Sequence, residues 1–311
     1  MNAKSKPPEV PAFATYLAKL KDSAVSLSLR NLKALAGLEP AHQASFQQLW
    51  AALPPSRRRE VVKALLELSE ENLELDFNPL FFCCLEDPDE VVRATALEGL
   101  WENENPQLFQ CLLSLLKDPA PSVREAVMLH FSRLAYQAQV GELSPAKSQI
   151  ISTTLLHWAT DLAQPLEICR RAIEGLGYFD SPAGQEVISQ ASQHPKQQMR
   201  ESALVAMGRS MNPIWLPFIA RELTSEVSAL RYEAAKAVGE FAETGQPLLA
   251  ALLPLTEDAD TEICLAAIWA LGQIGGPHAE RILQRLALTR DAARAQAAQE
   301  ALSEVALGEW G

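Results

Sequence analysis

The chain lacks any apolar run of the roughly eighteen residues that a membrane-spanning helix needs. Aromatic residues make up only 6% of its 311 positions, and runs of β-branched residues are nearly absent, so an extended sheet is disfavoured. The Met-Asn-Ala-Lys-Ser-Lys start has no apolar stretch behind its lysines, and no secretory signal is expected. There are five cysteines, an odd number, with no CxxC pair and no histidine beside them. A disulfide framework or zinc site is therefore not expected, and buried free thiols in a reducing cytoplasm are. Catalytic signatures are missing as well. No HExxH, GxSxG or GxxxxGK[ST] occurs. The sequence thus points to no catalytic residue, no metal ligand and no cofactor.

What is present is leucine, alanine and charge. Apolar residues reach 48% and charged ones 21%, the composition of a folded protein rich in helix. Net charge is −12, unevenly spread: residues 1–63 carry +6, and the remainder −18. Residues 67–104 hold twelve acidic side chains and a single arginine, most simply a solvated face. The basic end either folds against this acidic body or reaches a separate partner.

A repeat organises most of the chain. Its copies begin at Val92, Val123, Ile168, Met199, Leu230 and Ile263, spaced 31, 45, 31, 31 and 33 residues apart, with a degenerate seventh near Ala298–Val305. Counting the first residue as position 0, apolar side chains recur at 4, 5 and 8, a helical stripe. Small residues recur at 4, 7 and 9, where a neighbouring helix can approach closely. A second apolar helix is expected before the copies, at 108–116, 150–162, 214–223, 248–255 and 282–288. Turns such as Asp87-Pro88 and Asp118-Pro119 join the pairs, with proline placed where a helix starts. One pair cannot bury its own stripe, whereas stacked pairs share a core. The expected fold is all-α, a right-handed α-solenoid of antiparallel helix pairs. Its organisation is read as a mobile arm over 1–11, a helical cap over 12–40 and a repeat solenoid over 41–311. About fourteen extra residues fall near 135–146.

The pattern Asp-Pro-x-x-x-Val-Arg-x-x-Ala…Gly resembles the short HEAT-like repeats named after phycobilisome lyases, which also occur in many bacterial proteins. The resemblance covers residues 87–305 and, more weakly, 41–86. It implies a protein-binding scaffold, with a protein-modification or assembly role related to bilin lyases as the alternative. It also implies that Asp87, Arg93, Asp118, Arg124, Arg200 and Arg231 form a structural hydrogen-bonded ladder, broken at Cys169 and Cys264 where arginine is missing. HEAT-type deoxyhypusine hydroxylases bind iron through His-Glu pairs. The five histidines here precede Gln43, Phe131, Trp158, Pro195 and Ala279, so that reading fails. His130 and His157 read as core or groove-wall residues. HEAT-like DNA glycosylases use a basic, aromatic concave face, and this body is acidic. Nucleic acid is disfavoured and would have to engage the basic N-terminal end.

The residues at positions 2, 6 and 10 of each copy, outside the stripe, would line the inner face of such a solenoid. The candidate binding set is Glu98, Glu102, Arg133, Arg170, Glu174, Tyr178, Arg209, Tyr232, Lys236, Glu240, Trp269 and Gln273, with Trp101 at position 9 on the edge of the same face. Aromatic side chains and arginine dominate interface energetics, so the expected partner is another protein or peptide. Neither a membrane nor an obligate oligomer is expected.

Overall fold

The repeated stripe determines which side of each helix is hidden. In all six copies the residues at positions 0, 4, 5 and 8 are buried, from Val92, Ala96, Leu97 and Leu100 to Ile263, Ala267, Ile268 and Leu271. The computed structural model of the chain describes Leu20 and residues 26–38 and 40–308, so the proposed arm over 1–11 and, of the proposed cap, residues 12–19, 21–25 and 39 lie outside the described residues. Among the described residues the regular elements are helices, with no strand.

Two compact units divide the chain, the first ending at His130 and the second beginning at Phe131. The first holds α1 (Leu29–Lys33), α2 (Pro40–Ala51), α3 (Pro55–Glu71), α4 (Asn78–Cys84), α5 (Glu90–Gly99) and α6 (Pro106–Leu115). The division falls inside α7 (Pro121–Gln139). Beyond it come α8 (Pro145–Thr160), α9 (Leu166–Leu176), α10 (Pro182–Ser192), α11 (Gln197–Ser210), α12 (Leu216–Glu222) and α13 (Ser228–Glu240). The last are α14 (Leu249–Leu252), α15 (Thr261–Ile274), α16 (Gly276–Leu286) and α17 (Ala292–Gly308).

Local chemistry sets the helix starts. The Asp89 carboxylate accepts from the Val91 and Val92 N–H groups at the head of α5, and Asn105, Ser144, Ser181 and Asp260 cap α6, α8, α10 and α15 in the same way. Pro106, Pro145 and Pro182 occupy first-turn positions, where a missing N–H costs nothing. Pro88 and Pro119 do not: α5 and α7 begin two residues later, at Glu90 and Pro121, because the turn aspartates fold back on the intervening backbone. The extra residues near 135–146 lengthen α7 and its turn into α8, where Gly141 takes a left-handed φ of 80°. The helix expected over 248–255 is one α turn between two 3₁₀ segments, since Pro247 and Pro254 interrupt it.

In the second unit α9, α11, α13, α15 and α17 pack each on the next. The position-9 glycines allow this. A Cβ on Gly177 would press on Ala206, one on Gly208 on Ala237, and one on Gly272 on Ala301. Ala206 and Ala237 are the position-7 residues of the following copies. Gly239 instead receives the Trp269 ring. In the first unit α3 packs on α5 in the same second-helix relation.

Candidate binding faces

The arginine at position 1 meets the carboxylate five residues before position 0 of the next copy, wherever both exist. Arg93 donates to Asp118 through Nε and Nη2, both at 2.8 Å, and its Nη1 reaches the carbonyl of Asp87. Arg231 repeats this with Asp258 at 2.8 and 3.1 Å and with the Ser225 carbonyl. One copy earlier, Arg58 Nε lies 2.9 Å from Asp87 Oδ2, an ion pair whose N–H is not aimed squarely at the oxygen. Asp87 also accepts from Trp50 Nε1 at 2.6 Å. Arg124 reaches the Asp118 and Pro119 carbonyls of its own turn. Arg200 forms no ion pair among the described residues, because the matching next-turn position is Ser225. The arginine–carboxylate run breaks at Cys169 and Cys264, although Cys264 Sγ still donates to the Asp258 carbonyl at 3.0 Å. Sequence reasoning missed Arg58, hidden in a run of three arginines, and Asp258, which no proline follows.

The Arg231 guanidinium hydrogen-bonded to Asp258 holds that carboxyl below the usual aspartate range. A depressed folded-state pKa contributes stability that is complete above the unfolded-state value and is lost as pH falls through the folded one. The Tm difference between wild type and Asp258→Asn should therefore be full at neutral pH and close in acid, below the ordinary aspartate pKa. A difference independent of pH would contradict the pairing.

On the second unit, the side of the second helices away from the stripe carries the candidate residues in several local groups. Arg209 sits over the Tyr178 ring at 5.1 Å, and Tyr136, itself half exposed, meets Tyr178 edge-on at 5.6 Å. Arg209 also donates to Ser132 Oγ and the Glu174 carbonyl. Glu174 is buried, pairs with Arg171 at 3.1 Å and accepts from Ser202 at 2.7 Å. Arg170 is tied to Ser202, Glu167 and, at 3.7 Å, Glu201. Burial pushes the Glu233 carboxyl up, with Lys236 opposing and Glu174 and Glu201 reinforcing. Further along, Lys236 lies 5.6 Å over the Tyr232 ring, and Glu240 is exposed. Gln273 donates to Glu304. Trp269 serves two ends: its ring covers Gly239, and its remaining surface lines a 370 Å³ cleft with Glu300 and Glu304. Arg133, half-buried on α7, belongs to this unit too. Tyr136 escaped sequence reasoning because it falls in the inserted length, outside the repeat register.

The remaining candidates, Glu98, Trp101 and Glu102, are exposed at the end of α5 in the first unit. They border a cleft of about 540 Å³ whose other wall is the end of α3, its connection to α4, and Phe77 and Phe81. Trp101 stacks tilted on His130, which is buried with Nε2 2.8 Å from the Leu97 carbonyl oxygen. His157, in contrast, is exposed and meets only the edge of Trp158 among the ring contacts.

Among the described residues no group of His, Cys, Asp and Glu could hold a metal, and no helix is long and apolar enough to cross a membrane. All five cysteines are free, and burial is the first cause pushing each thiol up, Cys84 furthest. Such thiols are poor nucleophiles at neutral pH.

Residues 78–143 and 216–303 match the HEAT repeat family. No curated protein matches the chain. A chain from the structure of Kap95p with RanGDP superposes with a TM-score of 0.55 at 16% identity, over 95% of this chain and 45% of that one. This likeness establishes a shared helical-repeat fold, of which the present chain spans less than half. Human deoxyhypusine hydroxylase in complex with glycerol aligns at 21% identity, over 85% of this chain and 96% of that one, with a TM-score of 0.36. An engineered protein aligns at 16% identity, over 96% and 92%, with a TM-score of 0.44.

Proposed function

We propose that this chain is a non-catalytic scaffold or adaptor. A partner protein docks on the exposed side of its second helices. The observation that carries this reading is the continuous row α9–α11–α13–α15–α17, whose side away from the stripe carries the Arg209–Tyr178 and Lys236–Tyr232 contacts and the exposed Glu240. Rigid aromatic and arginine side chains held by packing lose little entropy on binding, which makes them effective anchors. Free, half-buried to buried thiols favour a cytoplasmic setting, and we read the working form as a monomer.

Tyr178 and Trp269 also pack within the fold, so replacing them would mix stability with binding. The variant Tyr232→Ala/Lys236→Ala/Glu240→Ala removes strip residues that are half-buried or exposed. Crosslinking and mass spectrometry in the native host should show partner recovery falling roughly tenfold or more for this variant at unchanged Tm. Equal recovery would count against the strip. A visible chromophore band in the purified protein, alone or with added bilin, would instead favour the assembly-factor alternative.

A further inference from the structure

The cleft of the first unit has a chemistry of its own. Its floor is apolar: Phe77 and Phe81 are buried there, and Leu66 lies beside them. Its lip is Leu73, a leucine left 86% exposed, next to Trp101 at 42%. Four carboxylates surround this apolar ground, Glu70, Asp76, Glu98 and Glu102, and none of the described lining residues is a lysine or arginine. Asp76 is engaged by the Asn78 N–H and amide at 2.9 and 2.8 Å. Burial, and then the charge of Glu70, push the Glu98 carboxyl above the usual glutamate range.

The geometry points to a docking site for an arginine-bearing peptide segment of another protein, its guanidinium held between the Trp101 face and the Glu98 and Glu102 carboxylates, with flanking apolar side chains on Leu73. This deepens the scaffold reading and rests on it. Guanidinium is the cation that fits. It is weakly hydrated, stacks on indole and offers several donors to carboxylates, whereas ammonium is compact and strongly hydrated. The volume falls in the usual range for ligand pockets, ~300–1,000 Å³. Charge complementarity excludes an acidic partner and a phosphate backbone alike.

The test uses the full chain and pools of fluorescent heptapeptides, degenerate except for a central residue fixed as arginine, lysine, norleucine or glutamate. Fluorescence anisotropy should rank the arginine pool first, with the norleucine and glutamate pools at least ~10-fold weaker. Glu98→Gln with Glu102→Gln should remove that preference without lowering Tm, because both side chains are exposed. Leu73→Arg, which seats a guanidinium from within, should suppress arginine-pool binding by a similar factor. An arginine pool no better than norleucine, or a preference unchanged in the double glutamine variant, overturns the assignment. Replacing Lys4 and Lys6 by alanine should leave affinity unchanged. A gain there would show that the chain's own N-terminal segment fills the cleft, and would equally overturn it. The Tyr232→Ala/Lys236→Ala/Glu240→Ala variant should keep full peptide binding. Failure of the pools alongside intact partner capture by the second unit therefore sinks the cleft and spares the scaffold, and the reverse result sinks the strip alone.

Discussion

Replacing Asp87 by alanine is expected to destabilise the first unit by about 3–5 kcal/mol, the usual cost of leaving one member of a buried ion pair alone. Asp87 is 4% exposed and serves three groups at once: Arg58 at 2.9 Å, the Trp50 indole N–H at 2.6 Å and the Asp89 backbone N–H at 2.8 Å. Arg58 is buried as well, and its Nη1 is committed to the Leu53 carbonyl, so it cannot swing out to water without losing that bond. The alanine variant therefore strands a cation and an indole donor together. Asp87→Asn keeps an acceptor for Trp50 and should cost less. Arg58→Met combined with Asp87→Leu removes the desolvated charges from both sides and should recover much of the loss. Denaturant unfolding at constant m, with hydrogen exchange to localise the effect to α2–α5, measures all three. A double variant as unstable as Asp87→Ala would mean that shape, rather than charge, makes this corner stable.

How legible was this fold in the sequence? The stripe was, because positions 0, 4, 5 and 8 are a local periodicity and need no partner to be read. Helix α10 was not: apart from Ile188 the face it buries is small, Gly184, Ala191 and Ser192, and its clearest sign was the Ser181-Pro182 start. The rungs of the ladder were read as single residues, yet each rung is a pair 25 to 29 positions apart whose second member lies in the next turn. Arg124 and Arg200 carry the motif, but the matching position of the following copy is Ala163 or Ser225 rather than a carboxylate, so the motif overstated the ladder. For the candidate binding residues, periodicity could mark only the side of the second helices away from the stripe. It could not show that Glu174 is buried, that Trp269 covers Gly239, or that Glu98 and Trp101 share a cleft with Leu73. Those facts depend on which helix comes alongside, and a single repeat does not encode that.

The position-9 glycines turn this dependence into an experiment. Gly177, the residue that ends α9, has an ordinary right-handed φ of −55°, so its backbone would accept alanine without strain. Packing opposes it: the new Cβ would lie 2.8 Å from Ala206 Cα and nearer still to the Ala206 carbonyl oxygen, both backbone atoms of α11 that cannot rotate away. We expect packing to win, with a net loss of about 1–3 kcal/mol and a lowered Tm. At Gly272 the closest atom is instead the Ala301 methyl, at 2.9 Å, while Ala301 Cα is 3.4 Å away. Gly272→Ala should therefore be largely rescued by Ala301→Gly. Gly177→Ala should gain nothing from Ala206→Gly, since deleting a methyl leaves the colliding carbonyl in place. Thermal unfolding of the four variants separates the two cases. Gly177→Ala proving more stable than wild type would show that α9 and α11 are not in backbone contact, and the side-by-side stacking of second helices in this unit would have to be abandoned.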